Sequence, residues 1–384
     1  MGCSKLSARK KNNHKDVKNV MDMIPIAKPS LGEEELKNVI QAFKEGWISS
    51  KGRFVQEFEE KFSDYLGAKY GVATSNGTAA LHLALEALGI SAGDEVIVPT
   101  LTFIATANSV KYTGAKPIFV DSHPNYWCID PKEVEQHITS RAKAIIPVHL
   151  YGHPSDMGKI MDIAEAHELF VIEDAAEAHG AEYKKKKVGS FGNIACFSFY
   201  GNKIVTTGEG GICLTDNEEL AQKMRILRDH GEDLNRKYWY NVIGFNYRMT
   251  NLQAAIGVAQ LEKLDEFIRV KRQLAQFYNE LLKDVNGISL PPEEPWAKNV
   301  YWMYSVLIED DYSLTRDELI EEYRQEYIET RPFFNPIHTM PLYRSRESHP
   351  VAEKLSKKGI NLPSFIELKK EGIERIAEII RRNE

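Results

Sequence analysis

The chain lacks three features that would place it in a specialised class of protein. No apolar run approaches the ~20 residues that cross a bilayer, which argues against a membrane partner. The formal net charge is −6, so the chain has no basic excess for general nucleic-acid or membrane-surface binding. The only cysteines have neither metal-ligand spacing nor the arrangement of a secreted disulfide framework: Cys3, Cys128, Cys196 and Cys213. We therefore expect a globular protein of the reducing cytoplasm that holds no metal.

Length and composition predict the domain organisation. With 384 residues the chain exceeds the usual limit of one hydrophobic core, and its 43% hydrophobic content is typical of globular proteins. Residues 1–22 are rich in Lys and Arg and have almost no apolar periodicity. They predict a disordered basic tail, a start codon placed too early or residues foreign to the natural chain; myristoylation of Gly2 is disfavoured because Leu6 replaces the required hydroxyl residue. A large domain over 23–262 and a smaller C-terminal one over 263–384 complete the prediction.

Strands and helices alternate through the first half of the chain. The strands are short, near-continuous apolar runs, as expected of strands buried on both faces of a sheet. Predicted strands lie over 71–74, 95–99, 117–121, 144–149 and 169–174, and predicted helices over 33–45, 78–88, 106–112 and 157–167. Helices over 252–268, 271–282 and 369–382 and a strand over 299–308 follow. This order predicts an α/β fold with a mostly parallel sheet and a smaller α+β C-terminal domain.

Two motifs stand where predicted strands end, and ligands of such sheets bind beyond the carboxyl ends of the strands. Ser75-Asn76-Gly77-Thr78 joins a strand to a helix, where free backbone N–H groups suit a phosphate. The same pattern also fits an ordinary helix cap that binds nothing. Asp174 follows the apolar run of residues 169–172. Its carboxylate suits a protonated ring nitrogen, although for an isolated Asp a loop acid or helix cap is the favoured explanation.

A single lysine, Lys203, occupies an unusual setting. Residues 197–211 consist of an apolar aromatic strand that stops at Gly201, this amine, and then small hydroxyl residues and glycines. An amine at the mouth of a sheet can condense with an aldehyde, and the aldehyde cofactor that lysines hold is pyridoxal phosphate. A solvent-facing lysine is the alternative, but it leaves the flanking aromatic and glycine residues unexplained. Ser198 offers a hydroxyl to a phosphate or to the backbone.

Taken together, these segments resemble the DegT/DnrJ/StrS family of sugar aminotransferases, which have the fold-type-I architecture of enzymes that depend on pyridoxal phosphate. The resemblance runs from about residue 24 to the C-terminal helix. Six segments carry it: Gly46-Trp47-Ile48-Ser49, Ser75-Asn76-Gly77-Thr78-Ala79-Ala80-Leu81-His82-Leu83, Val148-His149-Leu150-Tyr151-Gly152, Glu173-Asp174-Ala175-Ala176-Glu177-Ala178-His179-Gly180, the Lys203 segment, and Gly244-Phe245-Asn246-Tyr247-Arg248-Met249.

The resemblance implies a role for each matching residue. Lys203 is then the lysine that holds pyridoxal phosphate and moves the proton, Asp174 the partner of its ring nitrogen, and Phe103 the aromatic that stacks on its ring. Glu177 stands near the cofactor's phenolic oxygen, where many relatives carry Gln. The implied phosphate ligands are Gly77, Thr78, Ser198 and, from a neighbouring subunit, Asn246. A homodimer with shared active sites is therefore expected.

The same resemblance implies L-glutamate as amino donor and a nucleotide-linked keto sugar as acceptor. Residues 296–304 and 330–334 are similar to the branch that aminates C4 of GDP-4-keto-6-deoxymannose, making GDP-perosamine for polymers such as O-antigen. Arg331 is a candidate contact for phosphate or donor carboxylate, with a salt bridge as the alternative. His338 is a candidate sugar contact, with a plain surface histidine as the alternative. UDP- or dTDP-4-keto-6-deoxyglucose, a non-catalytic cofactor-binding regulator and a deoxygenating dehydratase remain open, although the dehydratases carry His in place of Lys203.

Overall fold

The computed structural model describes residues 23–233 and 235–384. The predicted basic tail over 1–22, with its myristoylation and start-codon alternatives, lies outside these residues. The described strands are numbered along the chain as follows: β1 Tyr70–Thr74, β2 Glu95–Pro99, β3 Lys116–Val120, β4 Ala142–Ile145, β5 Phe170–Asp174, β6 Glu182–Tyr183, β7 Lys186–Lys187, β8 Ile194–Ser198, β9 Gly211–Thr215, β10 Ile288–Ser289, β11 Ala297–Lys298, β12 Tyr304–Ile308, β13 Arg331–Pro332 and β14 Gly359–Leu362.

Seven of these strands form a central sheet in the order β1-β9-β8-β5-β4-β2-β3. Strand β9 is antiparallel to both of its neighbours, and the pairs from β8 through β5, β4 and β2 to β3 are parallel. Strands β2 and β9 are buried along their whole length, which is why their sequences are continuous apolar runs rather than alternating ones. The predicted α/β fold with a mostly parallel sheet is confirmed.

Helices cover the central sheet and continue into the C-terminal part. Their bounds are α1 Glu33–Lys44, α2 Arg53–Leu66, α3 Gly77–Leu88, α4 Ala105–Tyr112, α5 Pro131–Gln136, α6 Met157–Ala166, α7 Glu218–Arg228, α8 Asn251–Glu262, α9 Leu264–Leu282, α10 Arg316–Gln325, α11 Pro350–Lys358 and α12 Lys370–Arg381. Helix α3 begins where the Asn76 side chain accepts a hydrogen bond from the Ala79 N–H and ends at Gly89 in the left-handed conformation. None of the helices among the described residues has the length and apolarity to span a bilayer.

Two predicted boundaries in the second half of the chain are wrong. The break between the two long helices falls at Lys263, and α9 then runs without interruption through Lys271, whose charge interrupted the apolar periodicity. The side chain of Lys263 is tied to both carboxylate oxygens of Glu35 at 2.7 Å, a contact that no local pattern reveals. The strand predicted over 299–308 is confined to β12, because Tyr301 has a left-handed φ of 48°.

The C-terminal part has its own sheet, in the order β10-β12-β14-β13, and its own hydrophobic cluster. Helices α9, α10 and α12 contribute to that cluster, which includes the stacked rings of Tyr278 and Tyr304. The mixture of helices and mostly short antiparallel strands in the C-terminal part agrees with the predicted α+β character. The exact domain boundary near residue 262 stays a prediction. A third small sheet, β11-β6-β7, contains a basic hairpin with Lys184 and Lys185 at its tip.

Candidate active site

A cavity of about 740 Å³ opens at the carboxyl edge of the central sheet. Adjacent parallel strands β5 and β8 deliver Asp174 and the Lys203 loop to this edge, since Asp174 pairs in register with Cys196. Most of the residues singled out in the sequence line the cavity: Gly77, Thr78, Phe103, Asp174, Glu177, Ser198, Lys203 and Arg331. Residues separated by more than 250 positions in the sequence therefore meet in one place.

The amino end of α3 forms one wall of the cavity. The Asn76 side chain caps the Ala79 N–H at 2.8 Å, while the N–H groups of Gly77 and Thr78, at the first two positions of the helix, have no intrahelical acceptor. A Cβ on Gly77 would lie 2.7 Å from the Cβ of Ser198, so only glycine allows β8 to approach so closely. Two N–H donors, a helix dipole and the Ser198 hydroxyl fit an anion such as a phosphate.

Asp174 is the last residue of β5 and is buried. One carboxylate oxygen accepts a 2.8 Å hydrogen bond from the Thr106 hydroxyl, and the other accepts a 3.3 Å bond from the Ala176 N–H. Burial raises the pKa of the Asp174 carboxyl, while these hydrogen bonds and the charge of Lys203 oppose that rise. A carboxylate in this position is stabilised by a cationic ligand, and a protonated pyridine nitrogen is such a cation.

Lys203 and Glu177 form a buried pair, with 3.6 Å between Nζ and Oε1. The other oxygen of Glu177 accepts a 2.9 Å hydrogen bond from the Tyr151 N–H. Burial raises the pKa of Glu177 to about 7 and lowers the pKa of Lys203, and the opposite charge of each partner limits the shift of the other. The Lys203 amine is therefore neutral at a lower pH than a free lysine, as a nucleophile or a general base requires.

Aromatic side chains form the remaining wall. The Trp302 ring lies 3.6 Å from the Nζ of Lys203, and the Tyr151 ring is stacked between Trp302 and Phe334, at 6.2 and 5.4 Å respectively. Phe103 lies 5.9 Å from Phe334 and is 56% exposed, which leaves its face open toward the cavity. An aromatic cofactor can stack on such an open ring.

The sequence interpretation gave no role to three residues that shape this site. Thr106 holds Asp174 from the first turn of α4, Tyr151 holds Glu177 through its backbone, and Trp302 lies beneath Lys203. For Thr106 the sequence did contain a signal, namely a hydroxyl residue in the first turn of a helix that follows a strand. Trp302 stands in an aromatic cluster, Tyr301-Trp302-Met303-Tyr304, but its partner is 99 residues away and no local pattern pairs them.

Arg331 reaches the cavity from β13 and also pairs with Glu329 at 3.3 Å. The salt bridge proposed as its alternative role is therefore present. The side chains of Arg331 and Glu329 are 48% and 38% exposed, and exposed ion pairs of this kind contribute roughly 0–1 kcal/mol to the free energy of unfolding. An anionic ligand can compete for the guanidinium at small cost, so the pair and a ligand role are compatible.

Two predicted residues do not line the cavity. Asn246 is exposed, and its side-chain oxygen accepts a 3.0 Å hydrogen bond from Arg248. His338 is buried at 4% exposure, so neither a sugar contact in this cavity nor a plain surface position describes it. Its Nδ1 lies 2.7 Å from the Thr100 hydroxyl and its Nε2 lies 3.3 Å from Glu353, and these contacts hold the ring inside the protein.

Comparison with known proteins agrees with this geometry. Residues 29–381 match the model of the DegT/DnrJ/EryC1/StrS aminotransferase family. The chain belongs to this family. It is an aminotransferase that depends on pyridoxal phosphate, as the family's members do. The cavity fits that cofactor on its own evidence, because it joins a phosphate-sized set of donors, an open aromatic ring, a buried carboxylate and a buried amine.

Individual relatives cover nearly the whole chain. GDP-perosamine synthase of Escherichia coli O157:H7 is 49% identical over 362 residues, which cover 94% of this chain and 98% of that protein. GDP-perosamine synthase of Caulobacter vibrioides is 48% identical, covering 92% and 96% respectively. Among solved structures, S. venezuelae DesV in complex with a ketimine intermediate superposes with a TM-score of 0.86 at 35% identity, covering 91% of this aminotransferase and 94% of DesV.

Proposed function

We propose that this aminotransferase moves the amino group of L-glutamate to C4 of GDP-4-keto-6-deoxymannose and so makes GDP-perosamine. The buried Lys203 amine, beside Glu177 and in one cavity with Asp174 and the open end of α3, is the observation that carries the transfer chemistry. The choice of sugar nucleotide is supported by two relatives that bear the name GDP-perosamine synthase, at 49% and 48% identity.

Pyridoxal phosphate, when bound, supplies the electron sink that makes the α-proton of the amino donor acidic. We assign its phosphate to the N–H groups of Gly77 and Thr78 and to the Ser198 hydroxyl, and its ring face to Phe103. Asp174, held by Thr106, is the acceptor that keeps the ring nitrogen protonated. Each of these groups is positioned by the fold before any ligand binds, which removes the reorganisation cost from the reaction.

Lys203 is the proposed attachment point of the cofactor and the proposed proton carrier. As a neutral amine it takes a proton from the α-carbon of glutamate, and in the second half-reaction it returns a proton at C4 of the sugar. Glu177, 3.6 Å away, stabilises the amine while it is protonated. L-Glutamate leaves as 2-oxoglutarate before the sugar enters, so we expect ping-pong kinetics.

Arg331 is the proposed contact for the anionic substrates. Its guanidinium lines the same cavity as Lys203, and its one other partner among the described residues is Glu329, in an exposed pair. A planar guanidinium can form bidentate hydrogen bonds with a carboxylate or with a diphosphate. The two substrates occupy the cavity at different times in a ping-pong cycle, so one cation can serve both.

A panel of sugar nucleotides tests the proposed function. Incubated with L-glutamate and separately with GDP-, UDP- and dTDP-linked 4-keto-6-deoxyhexoses, the protein should aminate the GDP-linked sugar with the highest kcat/KM. Mass spectrometry of the sugar and release of 2-oxoglutarate are the measurements. Preference for the UDP or dTDP sugar would reassign the substrate, and loss of a hydroxyl would indicate a dehydratase. Absence of turnover with every 4-keto sugar would overturn the proposed substrate and leave the aminotransferase assignment intact.

We also propose that the active form is a homodimer whose sites are shared. Asn246 lies on an exposed segment that also bears Tyr238, 73% exposed, and Ile243, 91% exposed. Helix α1 likewise bears exposed apolar side chains, with Leu36 53% and Phe43 72% exposed. Apolar surface of this kind in a large protein indicates an interface.

We further propose a cytoplasmic location. Cys196 and Cys213 are paired in register on neighbouring strands and are not joined by a disulfide, which suits a reducing compartment.

Mixing two inactive variants should restore activity if the sites are shared. Lys203→Ala removes the amine, and Asn246→Asp places a negative charge beside the phosphate of the neighbouring subunit. In a hybrid dimer one site then contains both natural residues, so random exchange of subunits should recover about a quarter of the natural activity. A mixture of Lys203→Ala with Asp174→Asn is the matched control and should stay inactive, because both residues serve the same site. No recovery in the first mixture would refute the sharing of Asn246.

A further inference from the structure

Trp302 contacts two consecutive residues, Asn202 and Lys203. Its ring centroid lies 3.6 Å from the Nζ of Lys203, and its indole Nε1 donates a 2.8 Å hydrogen bond to the carbonyl of Asn202, the residue before Lys203. One side chain therefore touches both the amine that carries the proposed chemistry and the backbone that bears it. A ring face attracts a cation, so this contact favours the protonated form of Lys203 and one orientation of its side chain.

The backbone of Trp302 is itself held from two sides. Gly152 packs against it so closely that a Cβ there would lie 2.8 Å from the Trp302 nitrogen. On the other side, the ammonium of Lys271 donates a 2.9 Å hydrogen bond to the Trp302 carbonyl and further bonds to the carbonyl and hydroxyl of Ser364. Helix α9, the segment before β12 and the segment after β14 meet at this one ammonium.

Lys271 is an unusual residue for this task. It is buried at 5% exposure, and within residues 23–233 and 235–384 no carboxylate pairs with it. Burial lowers its pKa to about 7, so its charge costs stability that an apolar side chain of similar length would not. Its three N–H donors are all used, and their acceptors are neutral oxygens at fixed positions. Packing alone does not explain it.

We infer that Trp302 is a positioning residue for Lys203, and that Lys271 acts through Trp302 by holding the indole beneath Nζ. The inference rests on the proposed role of Lys203 as the lysine that binds the cofactor. Lys203 has to exchange a proton with one carbon atom of the substrate, and a misplacement of about 1 Å at such a site costs about 100-fold in rate. The indole restricts where the amine can lie and shifts its proton affinity.

Several charges act on the same amine and set the background for a test. Glu177 and Asp174 raise the pKa of Lys203, and burial lowers it. His179 lies nearby, but burial and the charge of Lys203 lower the pKa of His179 to about 3, so it adds no charge between pH 6 and 10. The Trp302 ring adds to the carboxylates, so its loss should lower the pKa of Lys203 and bring the neutral amine to lower pH.

The pH dependence of covalent cofactor attachment measures this pKa without any sugar substrate. Full-length protein freed of cofactor is mixed with pyridoxal phosphate between about pH 6 and 10, and the visible absorbance of the lysine-bound cofactor is followed. Trp302→Leu should lower the midpoint of the rate profile by about 0.5–1 pH unit and reduce kcat more than it raises KM. Trp302→Phe, which keeps a ring but loses the bond to Asn202, should give a smaller shift.

Lys271→Met tests whether Lys271 acts on Lys203 through Trp302. It should shift the midpoint in the same direction as Trp302→Leu although it does not touch Lys203, and the double variant should shift no further than Trp302→Leu alone. Two matched controls should leave the midpoint unchanged: Trp296→Phe and Lys187→Ala. Trp296 packs against the rings of His153 and Tyr126, and the Lys187 amine lies 3.4 Å from the Tyr65 ring centroid.

The outcomes separate this inference from the proposed function. If the natural protein attaches no cofactor at Lys203, the proposed role of Lys203 fails. If it does, but the Trp302→Leu midpoint equals the natural one, the positioning role of Trp302 is overturned. Full additivity in the double variant would remove Lys271 from the pathway through Trp302. Thermal melting checks folding. Trp302→Phe supplies the answer if Trp302→Leu does not fold, and Ser364→Ala, which removes one acceptor of Lys271, supplies it if Lys271→Met does not fold.

Discussion

Lys203→Ala should bind pyridoxal phosphate without a covalent bond and turn over at a rate lower by about 10⁴-fold or more. The variant loses both the attachment amine and the proton carrier, and no other amine lines the cavity among the described residues. The measurements are 2-oxoglutarate release and the visible absorbance of lysine-bound cofactor. The loss should be in kcat, because the groups assigned to the phosphate and ring remain.

Lys187→Ala provides a control matched in chemistry. Lys187 is another partly buried lysine over an aromatic ring, 3.4 Å from the ring centroid of Tyr65, but it lies in the β6–β7 hairpin and not at the cavity. Its loss should leave kcat within about twofold of the natural value, as for most substitutions away from a functional site. Natural turnover in Lys203→Ala would contradict the assignment outright.

Asp174→Asn should lower kcat by about 10³-fold and weaken cofactor binding. The substitution keeps the shape of the side chain but removes the charge that holds a proton on the cofactor's ring nitrogen, and with it most of the electron sink. Steady-state turnover and cofactor release on dialysis are the measurements. Thr106→Val, which removes only the 2.8 Å hydrogen bond to Asp174, should give an intermediate loss.

Asp156→Asn distinguishes this charge effect from a general effect of removing a buried carboxylate. Asp156 is also buried, and it caps α6 and accepts a 2.7 Å bond from the Tyr183 hydroxyl, outside the cavity. Asn caps a helix about as well as Asp, so the substitution chiefly removes the charged acceptor of the Tyr183 hydroxyl. It should lower the free energy of unfolding by about 1 kcal/mol and leave kcat unchanged. An Asp174→Asn enzyme with natural kcat would show that the ring nitrogen has no charged partner at this position.

Much of the fold was predictable because local patterns carry it. Strand β2 was predicted at its observed bounds, and α1, α3 and α12 within one residue at each end, since caps and apolar periodicity mark these elements directly. The break at Lys263 was not predictable, because a long-range contact with Glu35 holds it and neither Gly nor Pro marks it. Lys271 interrupted the pattern for a similar reason: its acceptors lie 31 and 93 residues away.

The candidate site was likewise predictable only where local sequence patterns determine it. The residue types and their order alone predicted a phosphate-binding turn at Gly77-Thr78, a carboxylate at Asp174 and an amine at Lys203, because each stands at the end of a strand and such ends share one edge of a sheet. His338 shows the limit of that reasoning: proximity in sequence to Arg331 suggested the cavity, and the contact with Thr100 placed the ring elsewhere.

The sequence by itself determined the α/β order, the set of reactive groups and their resemblance to sugar aminotransferases, since these depend on residue identity and short-range spacing. Only the tertiary structure decided how those groups are tuned. The proton affinities of Lys203 and Glu177 depend on burial and on a 3.6 Å separation, and the Trp302 ring reaches the same amine from the C-terminal part of the chain. Desolvation and Coulomb interaction depend on distance in space, which a linear pattern does not contain.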